Sequence, residues 1–231
     1  DLVTSGMPCE TFSTAGNSSR AAYDDRQFLF REGIRIAQIA NARMILFENV
    51  PMITTKRVAK TSKKLVLDVM KKELIEAGYG NFKQFIIDAE KYGVPQKRKR
   101  FFLLASRNPD DEITAPEITT TKEVTVREAF CDIPPVVANT WTENPMYLSE
   151  TSEYTRLMRD DTFWRRKTKE NKLLNHLPMN HRAYIIERFH MLRQGEGLKG
   201  LFARLDEEEL KELQKRKVMP KGVYVKRNYR L

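Results

Sequence analysis

The stretch from residue 25 to residue 48 reads DRQFLFREGIRIAQIANARMILFE and decides the fold class. Its first part, Asp25–Ala42, has the length of a helix and carries apolar residues near helical spacing. Its last part, Met44–Glu48, is a short apolar run of the kind that forms a buried strand. A helix that leads into a buried strand is the repeating unit of an α/β protein.

The same alternation continues on both sides of this stretch. Three more apolar runs are predicted to be strands, and a second helix is predicted before the third strand. Gly78 is suited to end that helix, since glycine adopts a left-handed backbone conformation without strain. We therefore predict an α/β domain with a mostly parallel sheet over residues 1–107. The added segments are Asp1–Thr4, Thr61–Ala77, Phe82–Ala89 and Phe101–Ala105.

The composition changes after the last predicted strand. Residues 108–135 begin with a polar, Thr-rich and Pro-containing segment and end in a Pro pair, so they are interpreted as a linker or hinge. Residues 136–231 contain both Trp, all three His and a dense basic stretch, Arg156–Lys172. Two helices are predicted there, Asn180–Arg193 and Asp206–Lys217. We expect a smaller, less regular domain with little sheet.

Composition excludes several classes of protein. The chain has 231 residues and a net charge of +10, from 41 Lys and Arg against 31 Asp and Glu. Its 41% hydrophobic content is too high for a disordered chain, and charges interrupt it too often for a membrane span. Two cysteines, Cys9 and Cys131, cannot form a disulfide framework and favour a reducing compartment. The positive charge favours nucleic acid over a membrane as the partner.

Two segments follow predicted strands, at the edge where α/β sheets place ligands. The first, GMPCETFS at 6–13, presents Cys9 as an exposed nucleophile. An ordinary loop cysteine is the alternative. The second is Glu48, where a partly desolvated carboxylate would be suited to proton transfer near neutral pH. A solvated residue at a strand end is the alternative there.

A third segment, YGVPQKRKR at 92–100, enters the fourth strand. Strand alternation would put Arg98 and Arg100 on one face as a clamp for a phosphate or a base. The alternatives are an edge strand protected by charge and a basic run of the nuclear-localisation type. A glycine-rich pattern, GEGLKG at 195–200, follows a predicted helix and is interpreted as a flexible loop. The three His lack Cys partners at metal-binding spacing, so no metal site is predicted.

The order and spacing of these segments resemble those of the C5-cytosine DNA methyltransferases. That family has the motifs Gly-Pro-Pro-Cys-Gln-x-Phe-Ser, Glu-Asn-Val and Gln-x-Arg-x-Arg, and residues 1–107 match the series with GMPCETFS, FENV and QKRKR. Residues 125–134, TVREAFCDIP, and 226–231, KRNYRL, are similar to later segments of the family. Met7 stands where the family usually has Pro, and Glu10 where it usually has Gln.

The resemblance implies a mechanism and a set of site residues. Cys9 would add to C6 of a cytosine flipped out of the helix, while Glu48 would bind or protonate N3. S-adenosyl-L-methionine (AdoMet) would be the cofactor, and Pro8 and Leu29 would line its pocket. Arg98 and Arg100 would hold the cytosine and its flanking phosphates. The basic half would bind double-stranded DNA, unless its basic stretch is only a solvated loop. The expected DNA contacts are Gln96, Trp164, Arg165, Arg166, Lys167 and Arg230.

Other family motifs have no counterpart in the sequence. The Phe-x-Gly-x-Gly cofactor loop, the acidic residue after it and the closing motif are missing, and the chain starts with Asp1. We therefore expect an incomplete AdoMet-dependent methyltransferase-like fold with a partial target-recognition region, from a larger bacterial modification enzyme of the cytoplasm and nucleoid. A second polypeptide could carry the missing motifs. Two other functions stay open: a tRNA cytosine-5 methyltransferase and a non-catalytic DNA-binding protein.

Overall fold

The computed structural model describes residues 1–8, 24–59, 61–120, 122–140, 145–165 and 173–221. The chain divides into two compact units, Asp1–Ala129 and Phe130–Leu231. Each unit has its own hydrophobic core. In the described part of the chain, no helix is both long enough and apolar enough to cross a membrane.

The first unit is built on a four-stranded sheet. Its strands are β1 (Leu2–Gly6), β2 (Met44–Asn49), β3 (Asn81–Asp88) and β4 (Lys99–Ser106). A short 3-10 helix, Asp25–Phe28, precedes α1 (Phe30–Ile39), and α2 (Val66–Glu76) and α3 (Val126–Phe130) follow. All four predicted strands form, so the α/β class is confirmed.

The sheet is mixed rather than mostly parallel. Its strand order is β1-β2-β4-β3, in which β1 and β2 are parallel while β4 is antiparallel to both of its neighbours. The connection from β3 to β4 explains the difference from the prediction. It spans only residues 89–98, which is too short for the crossover that a parallel pair requires. The chain therefore turns back and pairs with the strand it has just left.

The core lies between one face of the sheet and the two long helices. Alternate residues of β2 and β4, such as Phe47 and Leu103, are fully buried on this face. Gly33 lets α1 approach β1 closely, because a Cβ at that position would lie 2.8 Å from Ser5 Oγ. Gly78 has a positive φ of 89° directly after α2, as expected for a glycine that ends a helix.

The first part of the predicted linker packs on the first unit. Ile113 is buried, and Asp111 accepts hydrogen bonds from Arg43 and Ser106. The Asn81 side chain donates to the backbone carbonyls of residues 108, 109 and 111. Hydrogen bonds from Arg43 and Ser106 also hold the pKa of Asp111 below its usual value. Residues 108–113 are therefore fixed in place rather than free.

The second unit is helical in its described residues. It contains α4 (Glu153–Arg159), α5 (Ala183–Met191), α6 (Leu198–Arg204) and α7 (Glu207–Lys215), and none of its described residues belongs to an extended strand. Asp206 caps α7 by accepting hydrogen bonds from two backbone N–H groups of its first turn. The small core consists of Leu201, Leu213, Val218 and Met219.

The glycine-rich pattern at 195–200 follows α5 and leads into α6. Gly195 has a positive φ of 77°, and a Cβ at Gly200 would lie 2.8 Å from the Glu196 side chain. Glu196 pairs with Arg204 at 2.9 Å and accepts a hydrogen bond from the Arg193 backbone N–H. Arg204, followed by that backbone bond, holds the pKa of Glu196 below its usual value. The predicted flexible loop is therefore wrong for residues 198–200, which begin α6, while Gly195 lies in a turn that the Glu196 carboxylate holds in place.

Candidate active site

Three strand ends meet at one edge of the sheet. Because β1 and β2 are parallel and Gly6 lies opposite Glu48, both strands end at this edge. β4 runs in the opposite direction, so its first residues, including Arg100, start there. The chain continues from Gly6 through Met7 and Pro8 toward Cys9. This edge therefore gathers the segments for which chemistry is predicted, and it is called the catalytic edge below.

Glu48 and Arg100 form an ion pair at the catalytic edge. The Arg100 Nε atom lies 2.9 Å from Glu48 Oε1. The register explains the contact: Glu48 lies opposite Phe102, and Arg100 is two residues from Phe102 on the same face of β4. The Glu48 side chain is 41% exposed and that of Arg100 is 22% exposed. The carboxylate is therefore held in one position by a cation while it stays accessible from solvent.

Asn49, the next residue of β2, points to the opposite face and is buried. Its side-chain Nδ2 donates to the backbone carbonyl of Met7 at 3.4 Å, and its Oδ1 accepts from the Val50 N–H at 2.8 Å. Met7 is itself buried in the core. Asn49 thus ties the end of β2 to the residue two positions before Cys9. Sequence reasoning missed this contact.

Cys9 lies outside the described residues, as do residues 10–23, so its position relative to Glu48 stays a prediction. Pro8 is exposed, and Leu29, the residue before α1, is 37% exposed. Two accessible apolar side chains in the segments before and after residues 9–23 fit contact with an apolar part of a cofactor. Asp24 caps the 3-10 helix by accepting from the Arg26 N–H, and hydrogen bonds from the Arg26 side chain hold its pKa below the usual value.

Arg98 and Gln96 precede β4 and are exposed. The Arg98 carbonyl accepts from the Ala89 N–H at 2.9 Å, and the Gln96 N–H donates to the Val94 carbonyl at 2.7 Å. Both residues therefore belong to the turn between β3 and β4. Of the two predicted arginines, only Arg100 is brought to Glu48.

The segment between β2 and α2 carries basic residues that sequence reasoning overlooked. Lys56, Arg57, Lys63 and Lys64 lie on a loop that leaves the catalytic edge after Glu48. One signal was available in the sequence: positions 49–67 contain five basic residues, Lys60 included, and no acidic one.

Part of the predicted DNA-contact segment is described in the second unit. Trp164 is 47% exposed and stacks edge-on against Phe163, with ring centroids 5.0 Å apart. Its indole N–H donates to the Leu157 carbonyl at 2.8 Å, which fixes the ring at the end of α4. Arg165 follows and is exposed. Arg166, Lys167 and Arg230 lie outside the described residues.

No metal centre is evident among the residues that the structure describes. They contain no group of three or more His, Cys, Asp or Glu side chains that could hold an ion. Buried carboxylates in this part of the chain are used in ion pairs instead. Asp132, for example, pairs with Arg159, whose guanidinium lies 3.8 Å from the centre of the Tyr147 ring.

Comparisons with known proteins identify the family of the chain. The family model for C-5 cytosine-specific DNA methylases matches residues 1–231. Type II methyltransferase M1.HphI of Haemophilus parahaemolyticus is 28% identical over 84% of the chain and 43% of its own length. Type II methyltransferase M.DdeI of Desulfomicrobium norvegicum is 27% identical over 86% of the chain and 46% of its own length. The chain thus spans less than half the length of either relative.

A solved structure shares the fold. A protein described as a DNA modification methyltransferase encoded within a prophage (E. coli) superposes with a TM-score of 0.57. The match covers 85% of this chain and 56% of that protein at 20% identity. Together with the family match over every residue, the α/β sheet and its catalytic edge lead to one assignment. The chain belongs to the C-5 cytosine-specific DNA methylase family.

Proposed function

We propose that this chain supplies the nucleophile and much of the DNA-binding surface of a DNA (cytosine-5-)-methyltransferase. One observation carries the proposal. Glu48 is held by Arg100 at the edge where the chain leaves β1 toward Cys9, and Gly6 lies opposite Glu48 in the sheet. A nucleophile and a proton-handling carboxylate on neighbouring strand ends are what addition to a cytosine ring requires.

The proposed reaction starts at C6 of the cytosine. The Cys9 thiolate forms a bond to C6 and pushes electron density toward C5 and N3. Glu48 stabilises this charge by hydrogen bonding or proton donation at N3. C5 then takes the methyl group, a base removes the C5 proton, and the Cys9–C6 bond breaks to regenerate the thiolate. The cytosine must leave the base stack first, since neither face of C6 is reachable within a duplex.

AdoMet is the proposed methyl donor, and it would supply an electrophilic methyl group. Pro8 and Leu29, both exposed and apolar, are the described residues that we propose to contact it. Asn49 would orient the backbone ahead of Cys9 through the Met7 carbonyl. Arg100 would hold Glu48 in place, and Arg98 would contact the phosphates that flank the target.

DNA contacts are proposed for both units. Gln96 and Arg98 in the turn before β4, and the Trp164–Lys167 segment with Arg230 in the second unit, would neutralise phosphates or reach base edges. The relatives M1.HphI and M.DdeI are named Type II methyltransferases. By analogy with them, we propose a role in restriction-modification, in which methylation would protect the target site from cleavage.

The function is tested with duplex DNA that contains 5-fluorocytosine. Because fluorine replaces the C5 hydrogen, a base has no proton to remove after methyl transfer. The Cys9–C6 bond would therefore persist, and the complex would survive denaturation. With AdoMet present, we expect a covalent complex for the full-length protein and none for the Cys9→Ser variant. An equal yield of complex from both proteins would refute Cys9 as the nucleophile.

The same preparation separates the competing functions. Transfer of labelled methyl groups to tRNA but not to DNA would identify an RNA methyltransferase. Isothermal titration that shows no AdoMet binding, together with DNA binding, would identify a non-catalytic DNA-binding protein.

A further inference from the structure

The connection from β2 to α2 forms a small hairpin over residues 56–66, called the basic hairpin below. Arg57 and Leu65 pair in an antiparallel bridge, the Val58 N–H donates to the Lys64 carbonyl at 3.0 Å, and the Val66 N–H donates to the Lys56 carbonyl at 2.9 Å. Val58 packs against the core and Val66 is fully buried. The described residues of both arms are therefore anchored before any ligand binds, and residue 60 lies outside the described part of the chain.

The charged side chains exposed on this hairpin are all positive. Arg57, Lys63 and Lys64 are exposed, and none of them forms an ion pair with a described residue. Elsewhere in the first unit cations are commonly paired: Arg31 with Glu73, Arg43 with Asp111 and Lys99 with Asp88 are examples. Like charges on a short rigid frame repel one another unless a polyanion neutralises them.

The base of the hairpin adjoins the catalytic edge. Gln27, which is buried, donates its side-chain N–H to the Val58 carbonyl at 3.2 Å. The charge of Lys56 adds to the larger effect of Arg26 in lowering the pKa of Asp24. Residues 24–27 follow the segment that starts at Cys9, and the hairpin itself follows Glu48 by way of the 3-10 helix Pro51–Thr54. The Gln27–Val58 hydrogen bond thus places the hairpin beside the 3-10 helix that leads into α1. α1 in turn packs closely on the end of β1 at the catalytic edge, where Gly33 faces Ser5.

We propose that the basic hairpin binds the phosphate backbone of duplex DNA beside the target base, as a DNA contact separate from those already proposed. The inference rests on the proposed function, because it assumes that DNA is the substrate. Lys and Arg on a rigid hairpin suit phosphate contacts, which fix the position of the protein on DNA without reading sequence. Because the frame is already ordered, little conformational entropy is lost on binding. The hairpin would therefore hold the DNA against the catalytic edge whatever sequence the second unit recognises.

The test measures the salt dependence of DNA binding. Variant Arg57→Gln/Lys63→Gln/Lys64→Gln is compared with a matched control, Lys71→Gln/Lys83→Gln/Arg127→Gln. The control removes the same three charges from other positions of the first unit that form no ion pair with described residues. Binding of the full-length protein to a fluorescent random-sequence duplex is followed between about 50 and about 300 mM KCl, roughly a sixfold range in salt.

The slope of log K against log salt should fall by about 2.7 for the hairpin variant, at about 0.9 for each lost phosphate contact. For the control, the slope should change by less than about 0.9, the value that corresponds to one phosphate contact. A double variant in the second arm, Lys63→Gln/Lys64→Gln, should lower the slope by about 1.8 and covers the case in which the triple variant folds poorly.

Equal slopes for the hairpin variant and the control would overturn the inference, and so would a loss of affinity for tRNA with none for DNA. If the wild-type protein methylates DNA and the hairpin variant has the same salt slope as the wild type, the proposed function stands and only this inference is overturned. Wild-type protein that binds no duplex at all would overturn the proposed function as well.

Discussion

The two units bury their side chains in different ways. The first unit has one continuous core beneath its sheet, and its buried polar residue Asn49 makes hydrogen bonds near the site. Among the described residues the second unit has a much smaller core, while both units leave large apolar side chains at the surface, for example Ile39 in the first and Leu174 in the second. The first unit is thus organised as a rigid support for chemistry. In the second, more of the sequence is available at the surface for contact with a partner.

The largest expected effect is at Glu48 in the first unit, where a substitution should slow methyl transfer without weakening DNA binding. Glu48→Gln should slow methyl transfer by about 10²- to 10⁴-fold, because the side chain can no longer donate or accept a proton at N3. DNA affinity should stay unchanged, since Gln has the same shape and keeps an oxygen that Arg100 can contact. Single-turnover transfer of labelled methyl groups measures the rate. Glu76→Gln, which removes the same charge from a surface pair with Lys72, is the control. A Glu48→Gln rate within threefold of the control would contradict the role.

The next prediction concerns the stability of the second unit. Asp132→Ala should lower its free energy of unfolding by about 3 kcal/mol, the low end for breaking a buried ion pair, because Arg159 is 35% exposed and can regain water. Both Trp of the chain lie in the second unit, so tryptophan fluorescence reports its unfolding in urea. An unchanged midpoint would mean that the pair is not structural. Lys211→Ala, at an exposed pair with Glu207, should leave the midpoint unchanged.

A smaller effect is expected from Asn49 in the first unit. Asn49→Ala should cost about 1–3 kcal/mol, because it leaves the Met7 carbonyl buried without its partner. Hydrogen–deuterium exchange of peptides from β1 and β2 measures the loss. If Asn49 also orients Cys9, alkylation of the Cys9 thiol should change in rate while Glu48→Gln leaves that rate unaltered. If the β1 and β2 peptides of the variant exchanged at the wild-type rate, the Asn49–Met7 hydrogen bond would not stabilise the first unit.

The smallest expected effects are changes in the pKa of one carboxyl group in each unit, Glu128 in the first and Glu196 in the second. The pKa of Glu128 is lowered to about 2, first by the Thr125 backbone N–H and then by the side chains of Lys122 and Thr125. Because the folded pKa is depressed, its stabilising contribution is present above pH 4.5 and is lost as the pH falls toward 2. Thr125→Ala should raise this pKa only in part, since the backbone donor remains.

Arg204→Gln should raise the pKa of Glu196 more completely, because the Arg204 side chain is the largest cause of its shift. Carbon-detected NMR titration of the two carboxyl groups measures both changes. If the pKa of Glu128 returned closer to its ordinary value in Thr125→Ala than the pKa of Glu196 does in Arg204→Gln, the hydrogen bonds named as the causes of the two shifts would be wrong.

Local sequence predicted the elements of the first unit well. Apolar runs marked all four strands, and the glycine after α2 marked its end, because burial and backbone conformation leave a local signature. The helices of the second unit were predicted longer than they are. Asn180–Arg193 shortens to Ala183–Met191, with Arg182 preceding the helix in extended conformation. The basic hairpin was missed because residues 61–65 were predicted to start the helix Thr61–Ala77. In the structure α2 begins only at Val66, and Leu65 pairs with Arg57 instead.

The sequence by itself determined the α/β class, the order of the motifs and the resemblance to C5-cytosine methyltransferases, since these depend on residue type and spacing along the chain. Only the tertiary structure decided which residues meet. Arg100 reaches Glu48 because antiparallel pairing sets Phe102 opposite Glu48, and Asn49 reaches Met7 because β1 lies beside β2. Such contacts join residues about 40 to 50 positions apart. Their register is fixed by hydrogen bonds between strands and by the burial of one whole sheet face, which no local stretch of sequence contains.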